Sequence, residues 1–104
     1  MQLAFETQQL RTICESSAEA ITEFGQEVAY LLMARLADLD SAVSMRDVLV
    51  GQPRTCDSGD LEIELTGGYR MVCRANHPSN PITDSGMIDW DRVSRIRIVD
   101  ISKS

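Results

Sequence analysis

Leu61-Glu62-Ile63-Glu64-Leu65-Thr66-Gly67-Gly68-Tyr69-Arg70-Met71-Val72-Cys73-Arg74-Ala75 is the stretch on which the fold turns. Leu61, Ile63 and Leu65 alternate with Glu62 and Glu64, so a strand here puts aliphatic side chains on one face and carboxylates on the other. Thr66-Gly67-Gly68-Tyr69 predicts a tight hairpin, because paired glycines accept the positive φ of the primed turns. The returning strand runs from Tyr69 to Ala75. A lone hairpin with one apolar face is marginal in water, so the remaining chain has to cover it.

Upstream the period changes from 2 to 3.6. Ala20, Ile21, Phe24, Val28, Leu31, Leu32, Leu36 and Leu39 recur at three- and four-residue steps, with Glu19, Glu23, Glu27, Arg35 and Asp38 largely off that stripe. This predicts one long amphipathic helix, capped by Ser16 or Ser17 and weakened by Gly25. Met1 to Phe5 reads as a short first strand and Gln8 to Cys14 as a short helix. Ser44 with Asp47 predicts a cap and one further turn, ended by Gly51-Gln52-Pro53. Downstream, residues 76–87 hold Pro78 and Pro81 among Asn, Ser, Asp and Gly, the composition of a mobile excursion. Ile88 to Val93 then leads into a last strand, Arg95 to Ile101, with Ile96 and Ile98 on one face and Arg95, Arg97 and Val99 on the other. The expected architecture is α+β, a single domain over 1–104 with helices on one face of a small antiparallel twisted sheet.

At 104 residues the chain has room for one core. No apolar run approaches the roughly 20 residues that span a bilayer. The start, Met1-Gln2-Leu3-Ala4-Phe5-Glu6, lacks the basic flank and apolar stretch of a signal peptide, and the expected location is the cytoplasm. Three cysteines at wide spacings with a single histidine form neither a zinc set nor a disulfide framework. Cys14 and Cys73 are expected in the core and all three thiols idle. No metal and no cofactor is expected. There is also no nucleotide-binding glycine loop and no nucleophile triad.

Charge is the second informative feature. The net charge is -6, but it is unevenly spread. From Met1 to Gly68 four arginines face twelve carboxylates; from Tyr69 to Ser104 five arginines and Lys103 face four aspartates. An acidic front precedes an arginine-bearing back, and that asymmetry bounds the functional readings.

Leu10-Arg11-Thr12-Ile13-Cys14-Glu15-Ser16, the helix ending Ala34-Arg35-Leu36-Ala37-Asp38-Leu39, the strand Gly68-Tyr69-Arg70-Met71-Val72, and Gly86-Met87-Ile88-Asp89-Trp90-Asp91-Arg92-Val93 with Ile96-Arg97-Ile98-Val99-Asp100 carry a resemblance. In order along nearly the whole chain, they look like the HigB or killer-protein branch of the RelE/ParE toxin superfamily. The resemblance implies a RelE-like fold, the toxin half of a type II toxin-antitoxin system, and ribosome-dependent endoribonuclease cleavage of mRNA. Its implied partners are a small DNA-binding antitoxin, the ribosome and mRNA.

Attack of a 2′-hydroxyl on its neighbouring phosphate needs a base, an acid for the leaving oxygen and cations for the charge that develops. Arginine suits the last role, because its planar fork grips phosphate and stays charged. By resemblance Arg70 is the phosphate clamp, with Arg54 beside it as the second catalytic candidate. Arg74, Arg95, Arg97, Tyr69 and Lys103 are the RNA-binding candidates. Against this stands the bland reading, in which strand arginines pair with Glu62, Glu64 or Asp100 across the sheet. Relatives commonly end in an acidic residue, a tyrosine and a histidine, whereas this chain ends Ser102-Lys103-Ser104. His77 is the sole imidazole and sits in the polar loop. Trp90 reads as a core anchor, with base stacking as its functional alternative. The competing function is a catalytically degenerate RelE-fold protein that works through protein contacts.

Overall fold

The alternating strands and the helical stripe each need an apolar partner, and they find it in one another. The computed structural model describes residues 1–48 and 53–103. In chain order it contains β1 (Gln2–Phe5), α1 (Gln8–Glu15), α2 (Ser17–Phe24), α3 (Gln26–Ser41), a 3-10 turn (Met45–Asp47), β2 (Arg54–Thr55), β3 (Leu61–Glu64), β4 (Tyr69–Ala75), a second 3-10 turn (Trp90–Arg92) and β5 (Arg95–Lys103). The expected stop at Gly51-Gln52 lies outside the described residues.

The α+β class holds, but the sheet is mixed. Its order is β1-β5-β4-β3-β2, and β1 lies parallel to β5 with Gln2 opposite Arg95 and Phe5 opposite Ile98. The other pairings are antiparallel. The expectation of an all-antiparallel sheet fails for a topological reason. Three helices separate β1 from the hairpin, and a connection of that length lets the first strand join either edge in either direction.

The single long helix is also corrected. Gly25, at φ 90° and ψ 163°, ends α2 and begins α3. Its N–H donates to the Ile21 carbonyl at 2.8 Å, and its carbonyl accepts from the Ala29 N–H at 3.0 Å. That backbone conformation is essentially restricted to glycine, so the 3.6-residue stripe turns a corner here. Ala20 stays fully buried while its neighbour Ile21, expected on the stripe, is exposed. Hydroxyls close the helix starts: Thr7 Oγ1 accepts from the Leu10 N–H at 3.1 Å, and Ser16 Oγ from the Glu19 N–H at 3.3 Å. At the far end of α3 the Met1 ammonium donates to the carbonyls of Leu39 and Asp40, each at 3.1 Å, and to that of Ala42. A positive group there complements the helix dipole.

The hairpin forms as the glycine pair requires. Gly67 and Gly68 have φ of 69° and 81°, and the Leu65 N–H donates to the Tyr69 carbonyl at 2.8 Å. Leu32, Leu39, Ile63, Met71, Cys73, Val93, Ile96 and Ile98 are fully buried, joining strands and helices in one core. Burial pushes the Cys14 thiol up to about 11 and that of Cys73 to about 12, so both stay protonated and inert near neutrality. A bulge between Val72 and Cys73 changes the β4–β5 register, so that Asp100 faces Val72 and Ile101 faces Met71. This one-residue irregularity keeps Asp100 out of the core and brings Ile101 into it. Among the described residues no helix is long and apolar enough to cross a membrane.

Candidate functional site

The face of the sheet opposite the core inherits the polar half of every alternation. Arg54 on β2 lies directly opposite Glu62 on β3, and Glu62 lies opposite Val72, diagonal to Arg70 on β4. The Arg70 guanidinium leaves its register partner Glu64 and turns to Glu62, donating from Nη1 to Oε2 at 2.9 Å. Arg54 donates from Nη2 to the other oxygen, Oε1, at 2.7 Å. One carboxylate therefore holds two guanidiniums, one on each oxygen.

Exposure grades this trio from rim to floor. The side chain of Arg54 is 66% exposed, that of Arg70 30% and that of Glu62 11%. The Arg54 hydrogen bond, seconded by that of Arg70, holds the Glu62 carboxyl below the usual carboxylate range against the opposing effect of burial. Cys56 Sγ also donates to Glu62 Oε2, at 3.6 Å, and its thiol is raised first by burial and then by the Glu62 charge. Arg70 Nε is buried with no hydrogen-bond partner.

Arg74 and Arg97 on this face are also answered by carboxylates. Arg74 and Arg97 stand directly opposite each other, an arrangement that repels unless each charge is answered. Arg74 forks onto Asp60, with Nε to Oδ1 and Nη2 to Oδ2 both at 3.0 Å. Arg97 Nε lies 3.1 Å from Glu6 Oε2, an ion pair whose N–H is not aligned for a hydrogen bond. Arg95, two residues before Arg97 on β5, is exposed.

The structure divides the residues expected at the site. Arg54, Arg70, Arg74 and Arg97 share the polar face, and Arg95 extends their row. Tyr69 and Lys103 lie across the sheet, because residues adjacent along a strand point to opposite faces. They are register partners. The Tyr69 ring stands edge-on to Phe24 at 5.3 Å, with Lys103 Nζ 5.9 Å from its centroid.

His77 is tied into the scaffold. Its Nε2 accepts from the Ser94 N–H at 3.1 Å, and its own N–H donates to Asn80 Oδ1 at 2.9 Å. The excursion over 76–87 carries its own order: Ile82 bridges to Ile88, and the Thr83 N–H donates to the Met87 carbonyl at 2.7 Å. Trp90 is half-buried, packed on the core and donating from Nε1 to the Gly59 carbonyl at 3.3 Å.

Glu62, Asp60 and Glu6 are the site residues that sequence reasoning passed over as candidates. For Glu62 a signal existed, since the two-residue turn fixes a register that sets it one step from Arg70 on the same face. For Asp60 and Glu6 there was none: one precedes β3 and the other follows β1. Chemically, the assembly is a set of guanidiniums paired with carboxylates of the same chain, and guanidinium forks are also the groups that grip phosphate. Among the described residues no group of three or more His, Cys, Asp or Glu side chains is arranged to hold a metal ion. Comparisons with protein-family models, with curated proteins and with solved structures gave no significant match.

Proposed function

We propose that the protein is the toxin of a type II toxin-antitoxin pair, a RelE/ParE-type endoribonuclease that cleaves mRNA on the ribosome. Arg54, Glu62 and Arg70 are its phosphate-handling centre, and a small DNA-binding antitoxin is its silencer. The observation that carries this reading is the shared carboxylate, Glu62, with one guanidinium on each oxygen. A scissile phosphate drawing Arg54 and Arg70 onto its own oxygens releases Glu62 from the two contacts that hold its proton affinity down. Its pKa then rises toward the range of a useful base, at the moment a 2′-hydroxyl beside it must lose a proton. The guanidiniums meanwhile balance the charge that grows on the phosphorane, and as the bond from phosphorus to the 5′-oxygen breaks, that oxygen takes its proton from solvent.

A second reading rests on an observation of its own. Arg54, Arg70, Arg74 and Arg97 are each already answered by a carboxylate of the same chain, and the net charge is -6. Both weaken the counterion-release drive for RNA and favour a non-catalytic relative that binds protein. Induced expression in a bacterial host separates the two. The toxin reading expects growth arrest and new transcript 5′ ends, both abolished by Arg70→Ala. Normal growth with soluble protein and an unchanged transcript profile would leave the binding protein.

A further inference from the structure

Beside the arginine face lies a cavity of about 310 Å³, walled on one side by the turn from Thr55 to Gly59 and on the other by Gly86, Met87, Ile88 and Trp90. Its size falls at the lower end of the range for small-ligand pockets, about 300–1,000 Å³. Its lining is of two kinds. Trp90, Ile88 and Met87 offer apolar surface, and Met87 is 60% exposed where a buried position would be expected for so large an apolar side chain. Asp57 and Ser58, also in the lining, bring a carboxylate and a hydroxyl. A hydrogen bond from Trp90 Nε1 to the Gly59 carbonyl spans the two walls and fixes the indole.

The cavity is joined to the phosphate seat through one atom. Cys56 lines it, and Cys56 Sγ and Arg70 Nη1 both contact the same oxygen, Glu62 Oε2, at 3.6 and 2.9 Å. A planar group in the cavity and an anion on Arg54 and Arg70 would thus be neighbours, linked through Cys56 and Glu62. We propose that the cavity is a nucleobase subsite that takes the base of the nucleotide held by Arg54 and Arg70, with guanine preferred. This rests on the RNA-cleaving reading above. Guanine is singled out because two adjacent N–H donors on its Watson–Crick edge match the two oxygens of Asp57, whereas adenine and cytosine present one amino group there and uracil a single N–H. Trp90 and Met87 supply the surface for its face.

Trp90 is the sole tryptophan of the chain, so its emission reports occupancy of this cavity directly. The experiment titrates the full chain with 5′-GMP, AMP, CMP and UMP, then repeats the series with Asp57→Asn, Met87→Ala and Arg70→Ala, each checked for folding by circular dichroism. The subsite expects Trp90 emission to change on binding, with GMP tightest. Asp57→Asn should cut the preference for GMP over UMP roughly tenfold. Met87→Ala should weaken all four nucleotides, and Arg70→Ala should weaken all four while keeping their order. Unchanged emission with every nucleotide, or a base order indifferent to Asp57→Asn, overturns the proposal. Base-selective binding without any cleaved transcript would retain the subsite and remove the nuclease, while cleavage without an emission response would do the reverse.

Discussion

Glu62 accepts from two guanidiniums through different oxygens, so protonating it weakens both contacts together. Because its folded pKa lies below the unfolded value, the stabilisation it gives is complete above the ordinary glutamate value of about 4.3 and is lost as pH falls through the lower, folded one. Urea midpoints measured from pH 6 down to pH 3 should therefore fall less steeply for Glu62→Gln than for the wild type, and parallel slopes would remove Glu62 as a linked group. At this scale sequence was partly informative. Period 2 put Arg70 and Arg74 on one face of their strand, but Arg54 lay outside every expected strand, and the choice of Glu62 over Glu64 by Arg70 depends on side-chain reach and burial. Tyr69 was an expected RNA-binding residue beside the hairpin, but it adjoins Arg70 along one strand, and that adjacency sends it to the other face.

Among the elements, the break at Gly25 has the clearest energetic signature. A Cβ added there would meet nothing within 4 Å, so the cost of Gly25→Ala is confined to the backbone. Holding alanine at φ 90° costs about 1–3 kcal/mol. In a domain of this size that lowers Tm by roughly 5 °C or more, measured by thermal denaturation. An unchanged Tm would mean that the helix runs through position 25. The periodic stripe alone could not reveal the corner, since Ala20 and Val28 are core residues on either side of it and only Ile21 falls off the pattern. The hairpin, by contrast, was fully legible, because Gly67-Gly68 and the two alternating flanks specify turn, register and face together.

At the scale of the whole molecule, an acidic protein presents a row of arginines on one sheet face, four of which, Arg54, Arg70, Arg74 and Arg97, are paired with carboxylates. Binding of single-stranded RNA across this face should show log K falling against log salt with a slope of about -3 or shallower, given about 0.7 per phosphate contacted. Arg97→Ala should reduce that slope by about 0.7, read by fluorescence anisotropy of a labelled oligoribonucleotide over a salt series. A slope near zero would exclude the face as an RNA surface. The carboxylates that answer these arginines, Glu6, Asp60 and Glu62, come from three separate places in the chain, and only the closed sheet brings them into one field.

The sequence by itself determined the hairpin, the faces of its two strands, the buried Cys14 and Cys73 and the shared face of Arg70 and Arg74, because each of these follows from local period and turn chemistry. Tertiary structure alone decided the parallel seating of β1 on β5, the corner at Gly25, the bulge that turns Asp100 outward, and the pairing of Arg54, Arg70, Arg74 and Arg97 with their carboxylates. Those outcomes depend on which edges and side chains meet after the chain has closed on itself, and no local pattern carries that information.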